Sequence, residues 1–415
     1  MENKNNSGFL RGMLTGCIIM MVISVFGFYA YFTSQNGGVR SPEPYVYGAV
    51  NLTEVNQKVS MLEKYIDKFY LFDTDAADMT NGIYKGLMNG LGDPYSVYYT
   101  EEEYAAMMES AEGAYVGIGS YVSQLTDGRI MIVKPFEDGP ADKAGILPGD
   151  ILLTIDGVSV TGMDLETAVA KMKGEAGTTV DLTFYREGET EDIAVTVTRA
   201  EVEVPTIAYE MLDNKIGYIL ISSFEKATVH QFTDAVDDLE KDGAKGLLID
   251  LRDNGGGNLD AVVDMVDYLL PAGNILSTKD KNGVGESYDS TDDHQVDLPL
   301  AILVNGSTAS ASEIFAGAVQ DRNAGQVVGT LTFGKGIVQS ILPFENGEQG
   351  AIKLTTSEYF LPSGRSIHKV GITPDVEVEL SKKAKAEIKK DGALSRKNDN
   401  QLKKAQEVLL EMMGD

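Results

Sequence analysis

Residues 299–339 place the strongest constraint on how this chain folds. Pro299 to Val304 is a short apolar run that ends in an Asn305-Gly306 turn, which predicts a buried strand. After the turn, small residues give way to apolar ones, from Ile314 to Val319, and this pattern predicts a helix. A buried strand followed at once by a helix is typical of an α/β core.

Two polar residues in this stretch are candidates for chemistry. Ser310 lies near the strand-to-helix turn, where backbone N–H groups have no partner within the helix. That position suits a nucleophile whose reaction creates an oxyanion. Lys335 stands alone between two glycines in an otherwise apolar segment, which favours a lowered pKa and a role as a base. Each also has a structural interpretation, as a capped helix start and as a solvated loop charge.

Composition excludes several classes of partner and cofactor. The 415 residues are enough for two or three domains, and the net charge of −28 argues against nucleic acid as a partner, because phosphates repel it. The single cysteine, Cys17, excludes an intrachain disulfide. The three histidines, His230, His294 and His368, are scattered without ligand spacing, so neither a metal nor another cofactor is predicted.

The N-terminal region predicts a membrane anchor. Residues 12–34 carry no charge, and the twenty residues Met13–Phe32 would span about 30 Å as a helix, the thickness of a bilayer core. The positive charges precede this run, so residues 1–11 are predicted to be a cytoplasmic tail and the bulk of the chain to lie outside. A cleaved signal peptide is the alternative. Residues 35–50 are predicted to be a linker.

Residues 51–112 are predicted to form a helical arm. Apolar positions from Leu52 onward recur three and four residues apart, which predicts an amphipathic helix. A second helix is predicted from Ala76 to Met88, before a stop at Gly92-Asp93-Pro94, and a third is opened by Thr100. The arm is interpreted as a packing or dimer-forming element with no catalytic residue.

Residues 113–200 change character to short strands with glycine-containing turns. A Gly-rich loop could hold a terminal carboxylate through its N–H groups, while a strand edge pairs with the peptide backbone. The residues predicted to bind a peptide C-terminus in this way are Val116, Gly117, Ile118 and Gly119. A simple strand bend is the alternative. Together with the Pro140-Ala-x-x-Ala-Gly pattern and Gly149-Asp150, however, the segment resembles a PDZ domain.

Residues 201–380 alternate strands with helices and are predicted to form the α/β core. The loop Gly255-Gly256-Gly257 lies between a buried strand and a helix. It could bind phosphate, but no Gly-Lys-Ser/Thr follows it, so donation of N–H groups to a tetrahedral oxygen is the other use. In 381–415, the Lys-rich segment 382–396 is interpreted as a solvated face or linker, before a packing or dimer-forming helix at 398–413.

Several ordered motifs, covering roughly residues 50–410, resemble the carboxyl-terminal processing proteases, also called tail-specific proteases. The motifs are Leu91-Gly92-Asp93-Pro94-Tyr95-Ser96, Leu251-Arg252-x-Asn254-x-Gly256-Gly257, Ser307 to Glu313, Phe333-Gly334-Lys335-Gly336-x-Val338-Gln339, Gly364-Arg365 and Gly371 to Asp375.

The resemblance implies a role for each matching residue. Ser310 would be the nucleophile, Lys335 the general base, and Gln339 the residue that orients the lysine. The N–H groups of Gly256 and Ala311 would form the oxyanion hole.

Two residues depart from the family pattern. Thr308 stands where a smaller residue is common, which is expected to be harmless. Lys173 stands where relatives often have an arginine that couples the PDZ domain to the active site, which puts that regulation in doubt.

The chemistry of the residues agrees with serine–lysine catalysis. A serine hydroxyl needs a base, and no histidine lies in a matching motif. A free lysine has a pKa of about 10.4, and a drop of about 3 units, roughly 4 kcal/mol, would bring it near neutrality. Gln339 raises a geometric difficulty, because an extended chain places it about 13 Å from Lys335. A polar residue at a strand end is its alternative interpretation.

The sequence therefore predicts an α/β multidomain protein with an N-terminal transmembrane helix, helical arm, β-rich PDZ domain, protease core and C-terminal helix. The predicted function is a serine endopeptidase that binds the C-terminal tails of protein or peptide substrates and cleaves them outside a bacterial cytoplasmic membrane. A homodimer through the helical arms is expected. The alternative is a PDZ adaptor with a silent protease-like core.

Overall fold

The computed structural model describes residues 50–414. No helix within that range is both long and apolar enough to cross a bilayer. The cytoplasmic tail, the membrane anchor of residues 12–34 and nearly all of the linker lie outside the described residues. The chain divides after Asp75 into two compact units.

The α-helices of the described part are α1 (Leu52–Phe69), α2 (Ala76–Asn89), α3 (Glu101–Glu112), α4 (Pro140–Lys143), α5 (Leu165–Met172), α6 (Lys226–Lys241), α7 (Leu259–Leu269), α8 (Ala311–Asp321), α9 (Lys382–Asp391) and α10 (Asn400–Met413).

Its strands fall into two groups along the chain. The first group is β1 (Val97–Tyr99), β2 (Ala114–Gly117), β3 (Ser120–Gln124), β4 (Ile130–Pro135), β5 (Ile151–Ile155), β6 (Val158–Ser159), β7 (Thr179–Tyr185), β8 (Ile193–Thr198) and β9 (Ala200–Glu203). The second group is β10 (Ile207–Met211), β11 (Ile216–Ile221), β12 (Gly246–Asp250), β13 (Gly273–Asp280), β14 (Ser287–Ser290), β15 (Leu300–Val304), β16 (Gly325–Gly329), β17 (Ile337–Pro343), β18 (Ala351–Phe360) and β19 (Val376–Glu377).

The helices predicted for the arm are present. α1, in the first unit, is capped by the Asn51 side chain, which accepts from the Glu54 N–H at 3.3 Å. α3 begins with the capping box that the sequence indicates, since the side chains of Thr100 and Glu103 each accept from the other's backbone N–H. α1 and α2 contain no buried residue.

A six-stranded sheet in the order β10-β11-β12-β15-β16-β19 forms the centre of the α/β core. All its pairings are parallel except β10 with β11. One face packs against α6, α7 and α8, and the opposite face packs against α10. Along β12 the side chains alternate, so that Ile249 faces the three helices and Leu248 faces α10. The sheet is therefore buried on both sides, as its continuous apolar strands predict.

The PDZ region forms its own sheet, β3-β4-β5-β7-β8, with a core closed by α4 and α5. The Gly-rich loop is shorter than the sequence prediction. Val116 and Gly117 belong to β2, which pairs with β9, and only Ile118 and Gly119 connect β2 to β3. The predicted carboxylate-binding residues are thus half strand and half loop.

A third sheet joins distant parts of the chain. β18 pairs with β1, β13 and β17, so residues from before the PDZ region lie beside residues from the end of the core. Beyond the core, residues 382–391 form α9 with an exposed Lys-rich face. The linker interpretation of this segment is therefore wrong for those residues, because Ser381 caps a helix there and Ala384 is buried.

Candidate active site

Ser310 lies at the junction of the strand-to-helix turn and α8, with a strained backbone. Its φ of 58° and ψ of −119° are rare for a residue with a side chain. The Ser310 N–H donates to Glu313 Oε2 at 2.9 Å, and the buried Tyr359 hydroxyl donates to the Ser310 carbonyl at 3.3 Å. Gly256 packs so closely that an added Cβ would lie 2.8 Å from Ser310 Cβ. The conformation is therefore fixed from several sides.

The two predicted oxyanion-hole donors differ in whether their N–H groups already have an acceptor. Within residues 50–414 no acceptor lies opposite the Ala311 N–H, which is the first of α8. The Gly256 N–H instead donates to Asn254 Oδ1 at 2.8 Å. Gly255 and Gly257 line the adjoining cavity, whereas Gly256 does not. Ala311 is thus poised to donate, and the Gly256 assignment stays a prediction that requires the Asn254 bond to open.

Lys335 lies between Gly334 and Gly336, both of which are needed for close packing. A Cβ on Gly336 would lie 2.5 Å from the His368 backbone nitrogen. The Lys335 N–H donates to Glu313 Oε2 at 2.8 Å, and its amine lies 4.7 Å from the centre of the Tyr95 ring.

Burial lowers the pKa of the Lys335 amine, as the sequence predicts. The positive charge of Lys353 lowers that pKa further, whereas Asp93 and Glu313 work in the opposite direction. The amine is therefore held in surroundings that favour its neutral, basic form.

Gln339 lies in the same cavity, but no direct contact with the lysine is present. Its Nε2 donates to Thr355 Oγ1 at 3.3 Å. Among residues 50–414, no hydrogen bond joins the Lys335 amine to either Ser310 or Gln339. The pairing of β17 with β18 shifts register between Val338 and Gln339, so the strand is irregular where Gln339 enters the cavity.

One cavity of about 630 Å³ brings the predicted residues together. Ser310, Ala311, Lys335 and Gln339 all line it. Helix α3 of the predicted arm supplies part of the wall through Met107, Ser110 and Ala111. The arm therefore contributes to the candidate site, and the expectation that it is only a packing or dimer-forming element is incomplete.

Three further groups at this site were missed. Glu313 is fully buried, and its carboxylate accepts from the N–H groups of Ser310, Gly334 and Lys335. A signal existed for Glu313, because Ser-x-x-Glu before an apolar run is a capping pattern.

Tyr95 and Lys353 lie far from Lys335 in the chain. The motif at residues 91–96 contributes to the family resemblance, but its sequence indicates no role for Tyr95. Only the pairing of β1 and β17 with β18 brings Tyr95 and Lys353 to the lysine.

The predicted peptide groove lies between β3 and α5. A cavity of about 560 Å³ there is lined by Tyr121, Val122 and Val169 of the PDZ region, and by residues of α3 and the core. The carbonyl of Ile118 accepts from the Ala141 N–H at 2.8 Å, which fixes the loop backbone. Whether this loop binds a carboxylate stays a prediction.

Lys173 occupies the end of this groove. Its amine forms an ion pair with Glu109 of α3 and lies 4.8 Å from the centre of the Tyr115 ring. It therefore connects the PDZ region to the helix that also lines the candidate active site. Thr308, the other departure from the family pattern, is buried and donates to the Leu251 carbonyl at 2.8 Å, so its hydroxyl is satisfied.

A serine at a strained strand-to-helix turn, a half-buried lysine that lines the same cavity and an adjoining PDZ fold are the features of a PDZ-containing serine peptidase. The sequence model of Peptidase family S41 matches residues 215–378, and that of the PDZ domain matches residues 116–197.

The chain is also similar to curated carboxy-terminal processing proteases. The chain is 38% identical over 329 residues to the carboxy-terminal processing protease CtpA of Bacillus subtilis, covering 79% of this chain and 70% of the relative. It is 37% identical over 316 residues to a carboxy-terminal-processing protease of Bartonella bacilliformis, covering 75% and 72%. The solved photosystem II D1 C-terminal processing protease is 27% identical with a TM-score of 0.45, covering 77% of this chain and 86% of that one. The chain belongs to the carboxy-terminal processing protease family, and it is a serine-type peptidase with a PDZ domain.

Proposed function

We propose that Ser310 and Lys335 carry out peptide-bond hydrolysis through an acyl-enzyme. The observation that carries this proposal is their presence in one cavity, with Ser310 beside a free helix N–H and Lys335 in surroundings that lower its pKa. In the competent form, the neutral Lys335 amine turns toward Ser310 and takes the proton of its Oγ. The serine oxygen then attacks the scissile carbonyl carbon.

The oxyanion formed in this step would accept from the Ala311 N–H, with a second donor from the Gly255–Gly257 loop. The Lys335 ammonium would return its proton to the leaving amine, which departs as the new N-terminus. Water activated by the neutral lysine would hydrolyse the ester and restore Ser310. Gln339 would hold the amine in position once it has turned toward the serine.

The PDZ region would select the substrate. Its groove has an apolar wall and an open strand edge at β3, which suit an extended C-terminal tail of a protein or peptide. The loop at 116–119 would hold the terminal carboxylate. Amidating the C-terminus of a peptide substrate should then weaken its binding, and unchanged binding would contradict this part of the proposal.

The cellular setting is also proposed. The apolar run at 12–34 would anchor the chain in a bacterial cytoplasmic membrane, with the catalytic part outside it. The arm helices α1 and α2 carry exposed apolar side chains, including Leu62, Phe69 and Leu87, which would be covered in a homodimer.

Cleavage of an unstructured protein tests the central proposal. The full-length chain purified in detergent is compared with Ser310→Ala and Lys335→Ala, after circular dichroism has established that all three are folded. We expect activity only in the wild type, with a loss of at least about 10³-fold in each variant. Equal cleavage by all three would exclude the assignment. Tail binding without cleavage by the wild type would favour a silent PDZ adaptor.

A further inference from the structure

A turn formed by Gly92–Ser96 lies next to Lys335 of the candidate active site. Asp93 Oδ1 accepts from the Tyr95 N–H at 3.0 Å, and Asp93 Oδ2 accepts from Ser96 Oγ at 2.6 Å. Ser96 is buried, and its Oγ accepts from the Thr355 N–H of β18 at 3.0 Å. The turn is therefore ordered internally and fastened to the strand that carries the site.

The strand residue that holds this turn also contacts Gln339, and the turn itself contacts Lys335. Thr355, which donates its N–H to the turn, accepts from Gln339 through its hydroxyl. Tyr95 then presents the face of its ring to the Lys335 amine, with 4.7 Å between the nitrogen and the ring centre. That distance is within the range of a cation–π contact, in which the ring attracts the protonated amine. The turn thus touches the predicted base directly and the predicted orienting residue through Thr355.

We propose that the Gly92–Ser96 turn is part of the active site and that the Tyr95 ring is a positioning residue for Lys335, holding its protonated amine. This inference rests on the proposed function, in which Lys335 becomes an ammonium when it takes the serine proton. The ring face would stabilise that ammonium while the acyl-enzyme forms.

Other charged groups face the lysine and must be kept constant in a test. Asp93 of the turn and Glu313 of α8 favour the ammonium, and Lys353 of β18 disfavours it. Glu225, Asp260 and Tyr359 also line the cavity. The variants of choice therefore change only the ring of Tyr95 and leave every charge in place.

Tyr95→Phe keeps the ring face and removes the hydroxyl, whereas Tyr95→Leu keeps an apolar side chain and removes the ring. Since Tyr95→Phe keeps the ring face, we expect the acidic limb of its kcat/KM profile to lie closer to that of the wild type than the limb of Tyr95→Leu does. In Tyr95→Leu the ammonium loses its attraction, so the acidic limb of kcat/KM should move to lower pH. Its plateau kcat should fall by about 5- to 30-fold. Loss of burial alone would move the limb to higher pH, because water would then solvate the ammonium.

The protonation of Lys335 is also measured without catalysis. The full-length chain with Ser310→Ala is labelled with ¹³C-lysine, and the Lys335 signal, assigned with Lys335→Arg, is titrated by NMR in each Tyr95 background. A lower Lys335 pKa in Tyr95→Leu than in Tyr95→Phe supports the inference, whether or not the proteins with Ser310 intact cleave substrate. Absence of cleavage by the wild type would overturn the proposed function instead.

Equal Lys335 pKa values in the two variants, or a higher one in Tyr95→Leu, would overturn the inference while cleavage by the wild type left the proposed function standing. If Tyr95→Leu does not fold, Tyr95→Met provides the same comparison with an unbranched apolar side chain.

Discussion

The two walls of the active-site cavity are built differently. The nucleophile wall, residues 309–313, is almost completely buried apart from Ser310 itself, and hydrogen bonds fix it to the core. The base wall, residues 333–339, lies at the edge of the core, where Phe333 is 56% exposed and Lys335 is half-buried. The predicted nucleophile, Ser310, is therefore positioned by the core itself, whereas the predicted base, Lys335, depends on elements from distant parts of the chain.

This difference indicates which side chains of the site are free to move. Moving Ser310 would require disrupting packed core, which resists small displacements. Moving the Lys335 side chain requires only a change of rotamer within a cavity of about 630 Å³. Lys335 rests over Tyr95 without a hydrogen bond to Ser310, so under the proposed function a change in the base wall would alter activity more readily than a change in the nucleophile wall.

Glu313→Gln should have the largest effect, because Glu313 joins the two walls. Its carboxylate accepts from Ser310 and Lys335 on the same oxygen, Oε2. In either orientation of the glutamine amide, its nitrogen would face a backbone N–H donor, because the Gly334 N–H donates to the other oxygen, Oε1. We therefore expect a loss of about 3 kcal/mol in the free energy of unfolding and at least about 10²-fold in kcat/KM. Urea denaturation and peptide cleavage measure both. The exposed Glu240→Gln serves as the control, and similar results for both variants would contradict the link between the walls.

Gly256→Ala compared with Gly255→Ala tests the rigidity of the nucleophile wall. Gly256 has a φ of +100°, and a Cβ there would lie 2.7 Å from the Ala309 carbonyl oxygen, whereas a Cβ on Gly255 meets nothing within 4 Å. Gly256→Ala should therefore lose about 1–3 kcal/mol of stability, measured by urea denaturation, and Gly255→Ala should stay within about 0.5 kcal/mol of the wild type. Equal stability of the two variants would show that this wall is more adaptable than its packing indicates.

Lys353→Met should change the base wall without disturbing the nucleophile wall. Removing the Lys353 charge relieves its repulsion of the Lys335 ammonium, so the pKa of Lys335 should rise toward its ordinary value. The acidic limb of kcat/KM should then move to higher pH, and activity on that limb should fall while stability changes little. A limb that stays in place, measured with a neutral peptide substrate, would exclude Lys353 as a determinant of the base.

Lys335→Met should have the smallest effect, on the pH dependence of stability. Because the pKa of Lys335 is lower in the folded than in the unfolded state, the wild type is penalised below the folded pKa. That penalty is relieved as pH rises from the folded pKa to about 10.4. The variant should be the more stable form at low pH and lose this advantage at high pH. An advantage that does not depend on pH would mean that methionine simply packs better.

Local sequence patterns determined a large part of this protein. The apolar runs and turn residues predict β12, β15, α7 and α8, because burial on both faces of a parallel sheet leaves continuous apolar strands. The same kind of pattern indicates Ser310 and Lys335 as candidates, since a polar residue among apolar or small neighbours can be recognised from the sequence alone. The capping box of α3 was also readable, because its two partners are only three residues apart.

How those elements meet cannot be derived from local sequence patterns. The contact between Tyr95 and Lys335 joins residues 240 positions apart in number and depends on the pairing of β1 and β17 with a common strand, β18. The Gly256 N–H is directed to Asn254, a choice that the glycine motif cannot show. The sequence specifies which side chains are available. Their hydrogen-bond partners and the surroundings that set a pKa depend on residues that are close in space but distant in the chain. Those neighbours come together only when the sheets assemble.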